Sequence, residues 1–162
     1  MKIKIELDGE LQEEEIIIKC RELTEKVQEI QKAVANAVSR AQKFVLYKGD
    51  TEYYLPLKEI LFFETDNTGI CAHTRDSAYT SKYKLYELEE LLPASFLRVS
   101  KSTILNMDQV YSIEKNLTAS SLVEFQNSHK QVYVSRNYYK LLKDRLNARK
   151  GAEKANRKRS RI

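Results

Sequence analysis

From Phe44 to Val134 the chain is cut again and again into short runs rich in Tyr, Phe, Val and Ile, and this rhythm limits what it can fold into. Phe44-Val45-Leu46-Tyr47 stops at Lys48-Gly49-Asp50, and Glu52 to Leu55 stops at Pro56. Ile60-Leu61-Phe62-Phe63-Glu64 runs into the turn Asp66-Asn67-Thr68-Gly69, followed by Ile70 to Thr74 and Ala78 to Thr80. Further runs follow at Phe96 to Val99, Thr103 to Leu105, Val110 to Ile113, Leu122 to Phe125 and Val132 to Val134. β-Branched and aromatic side chains fit a half-buried pleated surface, so the pattern predicts an antiparallel, mainly β domain, α+β overall. One helix interrupts it. Ser81 is the candidate N-cap, Leu85, Leu88, Leu91 and Leu92 form one apolar face, and Pro93 stops it. A second helix, capped by Ser135, carries Tyr138, Leu142, Arg145 and Leu146 at helical spacing and is expected to run to about Arg149.

Ahead of this block Ile3, Ile5 and Leu7 alternate with polar residues, Asp8-Gly9 signals a turn, and Ile16-Ile17-Ile18 reads as a second strand. That is a β-hairpin. From Arg21 the period changes: Leu23, Val27, Ile30, Val34, Ala37, Ala41 and Phe44 alternate spacings of four and three, the seam of a coiled coil. The helix can pair with its counterpart in a second chain, making a homodimer, or pack on its own domain. Its alanine end buries little area, so the seam alone makes a weak association. The expected organisation is an accessory and dimerisation segment over 1–43, a β domain over 44–150, and a basic tail over 151–162. Beyond Gly151 the tail has too little apolar surface to order itself.

Hydrophobic residues make up 42% and charged residues 31%, which excludes a disordered or repetitive chain. No apolar run approaches the ~20 residues of a membrane helix, and the N-terminus lacks a signal peptide's apolar core, so a cytoplasmic place is expected. Cys20 and Cys71 have no motif spacing, and with His73 and His129 they make no convincing zinc site. They read as two half-buried thiols. A Gly-rich phosphate loop, a Gly-x-Ser-x-Gly elbow and a His-Glu-x-x-His pair are all missing, so neither an enzyme nor a cofactor is expected.

Charge placement is more informative. Residues 1–30 carry five bases against nine acids, a balance of −4, whereas residues 136–162 carry eleven bases against two acids, a balance of +9. One end suits a polyanion and the other does not. Polar and basic side chains also gather where the chain turns: Asn67 with Thr68, Ser100-Lys101-Ser102, and Arg136-Asn137 with Lys140. Lys and Arg donate to guanine edges or phosphates, Asn pairs with adenine, and a helix start offers free N–H groups to an anion. Tyr133 alternates with Val132 and Val134, a cross-strand setting and not an RNA-stacking platform.

The segment from Pro56 through Leu146 resembles the LytTR family of bacterial DNA-binding domains. The likeness rests on Ile60-Leu-Phe-Phe-Glu64, on Leu85-Tyr-Glu-Leu-Glu-Glu-Leu-Leu-Pro93, on Phe96-Leu-Arg-Val-Ser-Lys-Ser-Thr-Ile-Leu-Asn106, and on Val134-Ser-Arg-Asn-Tyr-Tyr-Lys-Leu-Leu142. It implies an elongated β-β-β arrangement of three antiparallel sheets, which inserts loops into successive major grooves of duplex DNA. It also implies that Asn67, Thr68, Ser100, Lys101, Ser102, Arg136 and Asn137 contact bases or phosphates. Ser100 stands where many members have His, and the turn after Glu64 is short. The 43 residues before Phe44 are too few for a phosphoacceptor receiver. The whole chain is similar instead to short LytTR regulators whose beginnings resemble Ile16 to Val27. The expectation is therefore a transcription regulator not controlled by phosphorylation, with a small multi-span membrane protein as antagonist or sensor. The alternative is a protein-interaction module that binds an acidic or membrane-protein partner without specific DNA.

Overall fold

The computed structural model describes residues 6, 9, 16–41 and 43–159, and it divides into two compact units, Met1–Ala37 and Val38–Ile162.

In the first unit Thr24 opens helix α1 (Glu25–Ala41): its carbonyl accepts from Gln28 N at 3.0 Å and its hydroxyl from Val27 N at 3.4 Å. Glu25 in the first turn complements the helix dipole. Val27 is buried and Ile30 and Val34 are half-buried, so the seam exists along part of the helix. Both its ends need correction. Leu23 lies ahead of α1 and is exposed, and Phe44 belongs to a strand. The expected strand at Ile16–Ile18 is also corrected: these residues have no regular structure, and Ile16 and Ile17 are exposed. A three-residue run becomes a strand only when a neighbour satisfies its N–H and C=O groups. Its expected partner, Ile3 to Leu7, lies outside the described residues but for Glu6.

The second unit follows the strand rhythm closely. Strands β1 (Lys43–Lys48), β2 (Thr51–Pro56), β3 (Phe62–Asp66), β4 (Gly69–His73) and β5 (Ala78–Ser81) precede α2 (Leu85–Leu91). Then come β6 (Phe96–Arg98), β7 (Thr103–Asn106), β8 (Val110–Glu114), β9 (Ser121–Phe125) and β10 (Gln131–Val134), and α3 (Arg136–Arg159) closes the chain. All pairings are antiparallel, in a seven-stranded sheet of order β2-β1-β5-β4-β3-β7-β6 and a three-stranded sheet of order β10-β9-β8. The β1–β2 hairpin joins β5 through one register pair, Tyr47↔Thr80, so it is nearly a layer of its own.

β3 and β7 are neighbours in the seven-stranded sheet and are covered on both faces, and their sequences explain it. Phe63 and Ile104 face one core with Phe44, Leu46, Leu57 and the α2 leucines Leu85 and Leu88. Phe62 and Leu105 face another core with Val99, Val123, Phe125, Val134 and Leu142 of α3. A strand buried on both faces needs a continuous apolar run, and Ile60-Leu61-Phe62-Phe63 supplies one. Asn106 is the polar exception, 2% exposed: its Nδ2 donates to the Ile60 carbonyl at 2.9 Å and its Oδ1 accepts from Asp108 N at 3.1 Å.

Two helix boundaries depart from expectation. Ser81 does not cap α2; its hydroxyl accepts from Tyr83 N at 3.2 Å, and the helix starts later, where Glu87 accepts from Lys84 N at 2.7 Å. The carboxylate three residues in thus anchors the first turn. The final helix passes Arg149 and continues into the segment expected to lack order, as far as Arg159. Ala152, Glu153, Lys154 and Ala155 are strong helix formers, and a helix closes its hydrogen bonds locally without apolar burial; Gly151 costs it only about 1 kcal/mol. Among the described residues no helix is long and apolar enough to cross a membrane, and no group of His, Cys, Asp and Glu could hold a metal ion.

Candidate nucleic-acid interface

The turn between β3 and β4 is folded by one carboxylate. Asp66 Oδ1 accepts from Thr68 N at 2.7 Å and from Thr68 Oγ1 at 2.6 Å, and Oδ2 accepts from Cys71 Sγ at 3.0 Å. The Thr68 hydroxyl, then the Cys71 thiol and the Thr68 N–H, hold the Asp66 carboxyl down at about 2. Asp66 therefore stays anionic and fixes the turn before any partner arrives. Gly69 takes φ +131°, where a side chain would be strained. Asn67 is left exposed at the tip with its amide directed to no partner in this network, whereas the Thr68 hydroxyl proton is already committed.

The loop between β6 and β7 is held from two sides. Ser102 N donates to Ser100 Oγ at 3.2 Å, and Val99 N donates to the Thr103 carbonyl at 2.9 Å. Arg98 clamps the rest: Nε donates to the Ser100 carbonyl at 3.1 Å, Nη2 to the Lys101 carbonyl at 2.6 Å, and Nη1 to Glu89 Oε2 of α2 at 2.6 Å. Ser100 and Ser102 are half-buried parts of the loop's framework, and Lys101 is exposed at its apex.

Backbone bonds bring these elements to one end of the fold. Thr65 N, one residue before Asp66, donates to the Ser102 carbonyl at 2.8 Å. Ser135 N donates to the Val99 carbonyl at 2.9 Å, which sets Arg136 and Asn137 beside the same loop. The Ser135 carbonyl accepts from both Tyr138 N and Tyr139 N, so Ser135 does occupy the cap position of α3. Arg136, Asn137 and Lys140 are all exposed. The first turn of α3 contains no acid, so Arg136 adds positive charge to the positive end of the helix dipole. Such a terminus is relieved by a bound anion. Arg149 points elsewhere, ion-paired with Asp108.

The histidines sit apart from this end. His73 stacks on Phe62 with ring centroids 4.3 Å apart, and burial, reinforced by the Lys130 charge, pulls its pKa down to about 4. His129 is exposed in the β9–β10 connection. Of the two cysteines only Cys71 is half-buried; Cys20 is exposed.

Sequence reasoning singled out the projecting residues and missed those that position them. Arg98 and Glu89 carry no local signal of this role, because their pairing joins two elements through tertiary packing.

Comparison with known proteins agrees with the fold. The model of the LytTr DNA-binding domain family matches residues 50–147. A Staphylococcus aureus protein (strain bovine RF122) described as an uncharacterised HTH-type transcriptional regulator is 32% identical over 149 residues, covering 90% of this chain and 98% of the relative. Another so described, from strain MRSA252, is 31% identical over the same length with the same coverage. Among solved structures, the LytTr DNA-binding domain of a Bacillus cereus protein superposes with a TM-score of 0.60 at 25% identity, over 65% of this chain and 96% of that one. Despite the relatives' description, no two of this chain's described α-helices follow one another directly, because strands separate them.

Proposed function

The chain belongs to the LytTR family of DNA-binding domains and is a DNA-binding transcription regulator; from this premise we propose that it reads a repeated duplex site as a homodimer, through two loops and the start of α3. The observation that carries this reading is the pair of backbone bonds, Thr65 to Ser102 and Ser135 to Val99, that gather the three elements at one end. Lys101 and Arg136 reach base edges or phosphates, Asn67 and Asn137 offer amides, and Ser100, Ser102 and Thr68 contribute mainly by holding the loops. Lys140 extends the phosphate contact one turn along α3. The basic tail over 151–162 adds a sequence-blind attraction.

Dimerisation is assigned to α1, whose Val27, Ile30 and Val34 lie at seam spacing. In this reading control is by means other than phosphorylation; 149 residues of this chain align over 98% of the S. aureus relative's own length. The acidic first thirty residues, repelled by a polyanion, are the segment we assign to a protein partner, a small multi-span membrane protein acting as antagonist. Such a regulator works in the cytoplasm, where its DNA is.

Fluorescence anisotropy on the upstream region of its own gene, with excess nonspecific competitor, tests the reading. Lys101→Ala and Arg136→Ala are each expected to weaken specific binding by about 1–3 kcal/mol. Native affinity in both variants removes these residues from the site. Absence of any specific complex returns the chain to the alternative, a protein-interaction module.

A further inference from the structure

A fourth element reaches the same end of the fold, and it was not among the candidates from sequence. β9 begins at Ser121, whose register partner is Val134, the last residue of β10. The β8–β9 loop, residues 115–120, therefore emerges beside the start of α3. Lys115 confirms the proximity: its Nζ lies 5.6 Å from the centre of the Tyr139 ring. On a helix, positions three and four apart share a face, so Tyr139 lies next to Arg136, and Lys140 and Lys143 continue that stripe. Lys115 thus adds a charge from another strand pair to the basic stripe of α3.

The loop is also ordered in advance. Asn116 N donates to Ser121 Oγ at 3.2 Å. Asn116 Oδ1 accepts from Thr118 N at 3.0 Å, Thr118 Oγ1 at 3.2 Å and Ala119 N at 3.1 Å. One amide oxygen thereby closes the turn, in the manner of Asp66 in the β3–β4 turn. The residue it holds outward is Leu117, at 78% the most exposed of the large apolar side chains in the described residues. A rigid loop that presents an ammonium and a bare leucine beside a helix start rich in positive charge suits the edge of a nucleic-acid backbone: phosphate for the one, deoxyribose for the other.

We propose that the 115–120 loop is a fourth DNA-contacting element, with Lys115 binding a backbone phosphate next to the one held at the start of α3 and Leu117 packing on the adjoining sugar. The proposal rests on the DNA-binding reading above and deepens it: this contact, made to phosphate and sugar alone, is blind to sequence.

The experiment is a salt titration of the full chain on its upstream region and on an unrelated duplex, with Lys115→Ala, Lys115→Arg, Leu117→Ser and, as reference, Arg136→Ala. Each phosphate contact contributes about 0.9 to the slope of log affinity against log salt. Lys115→Ala is expected to lower that slope by about 0.9 on both duplexes and to weaken binding roughly three- to tenfold at about 0.1 M salt. Lys115→Arg should restore both, and Leu117→Ser should weaken binding with an unchanged slope. All three side chains are exposed, so the fold is expected to persist, and circular dichroism of each variant checks this. If Lys115→Ala keeps the native slope and affinity while Arg136→Ala loses specific binding, the fourth contact is overturned and the DNA-binding reading stands. If the wild-type chain favours neither duplex yet Lys115→Ala still lowers the slope, the specific reading falls and the Lys115 contact stands.

Discussion

Arg98 donates from Nη2 to the Lys101 carbonyl at 2.6 Å, so the loop's one exposed cation, Lys101, is held in place by a second, half-buried cation. Arg98 makes three bonds at once, to Glu89, Ser100 and Lys101, a geometry that only a planar, forked guanidinium can supply.

This makes Arg98 a positioning residue. Arg98→Lys keeps the charge but cannot span all three partners, and specific DNA binding is expected to weaken by about 1–2 kcal/mol. Nonspecific binding should change little, because Lys101 itself remains. Anisotropy on specific and unrelated duplexes reads the difference; equal losses on both would assign Arg98 to direct phosphate contact instead.

Asn106 supports the same region from within the core. Asn106→Ala removes the donor to the buried Ile60 carbonyl and the side-chain acceptor for Asp108 N. Urea unfolding is expected to show a loss of about 1–3 kcal/mol. A midpoint equal to the wild type would mean that water replaces the side chain.

Acid stability has two separate windows. The folded chain keeps His73 neutral down to about 4, while an unfolded histidine takes its proton near 6.5. Between those values the unfolded state binds more protons, so stability falls as pH drops from 6.5 towards 4 and His73 adds no slope below that. The Asp66 contribution is present in full above 3.8 and is lost as pH falls through about 2. Melting temperatures measured against pH should lose the upper slope in His73→Gln and the lower one in Asp66→Asn. Lys130→Met should narrow the upper window, because the Lys130 charge is a cause of the His73 shift.

The association assigned to α1 is read by light scattering. Val27 is buried already, so substitution there risks the fold itself; Ile30 and Val34 are half-buried and make the cleaner probes. Ile30→Asp with Val34→Asp is expected to convert a dimer at micromolar concentration to a monomer and to weaken binding to a repeated site more than to a half-site. A mass unchanged from the wild type removes α1 from the interface.

What the amino-acid sequence alone determines is local. Strand runs, the Asp66–Gly69 turn and the Pro93 stop depend on neighbours in sequence, whose period and backbone preferences travel with them. The same locality misled at Phe44, which completes a perfect heptad spacing yet sits in the core with Phe63. Ile16–Ile18 misled for the converse reason: strand propensity is expressed only through a paired neighbour. The candidate contacts, likewise, were legible as residue types at turns. Their assembly was not, since it rests on bonds such as Ser135 to Val99, Arg98 to Glu89 and the placing of Lys115 beside Tyr139, each between segments separated along the chain. Strand register sets those meetings, and register is a property of packed sheets, which no single stretch of residues encodes.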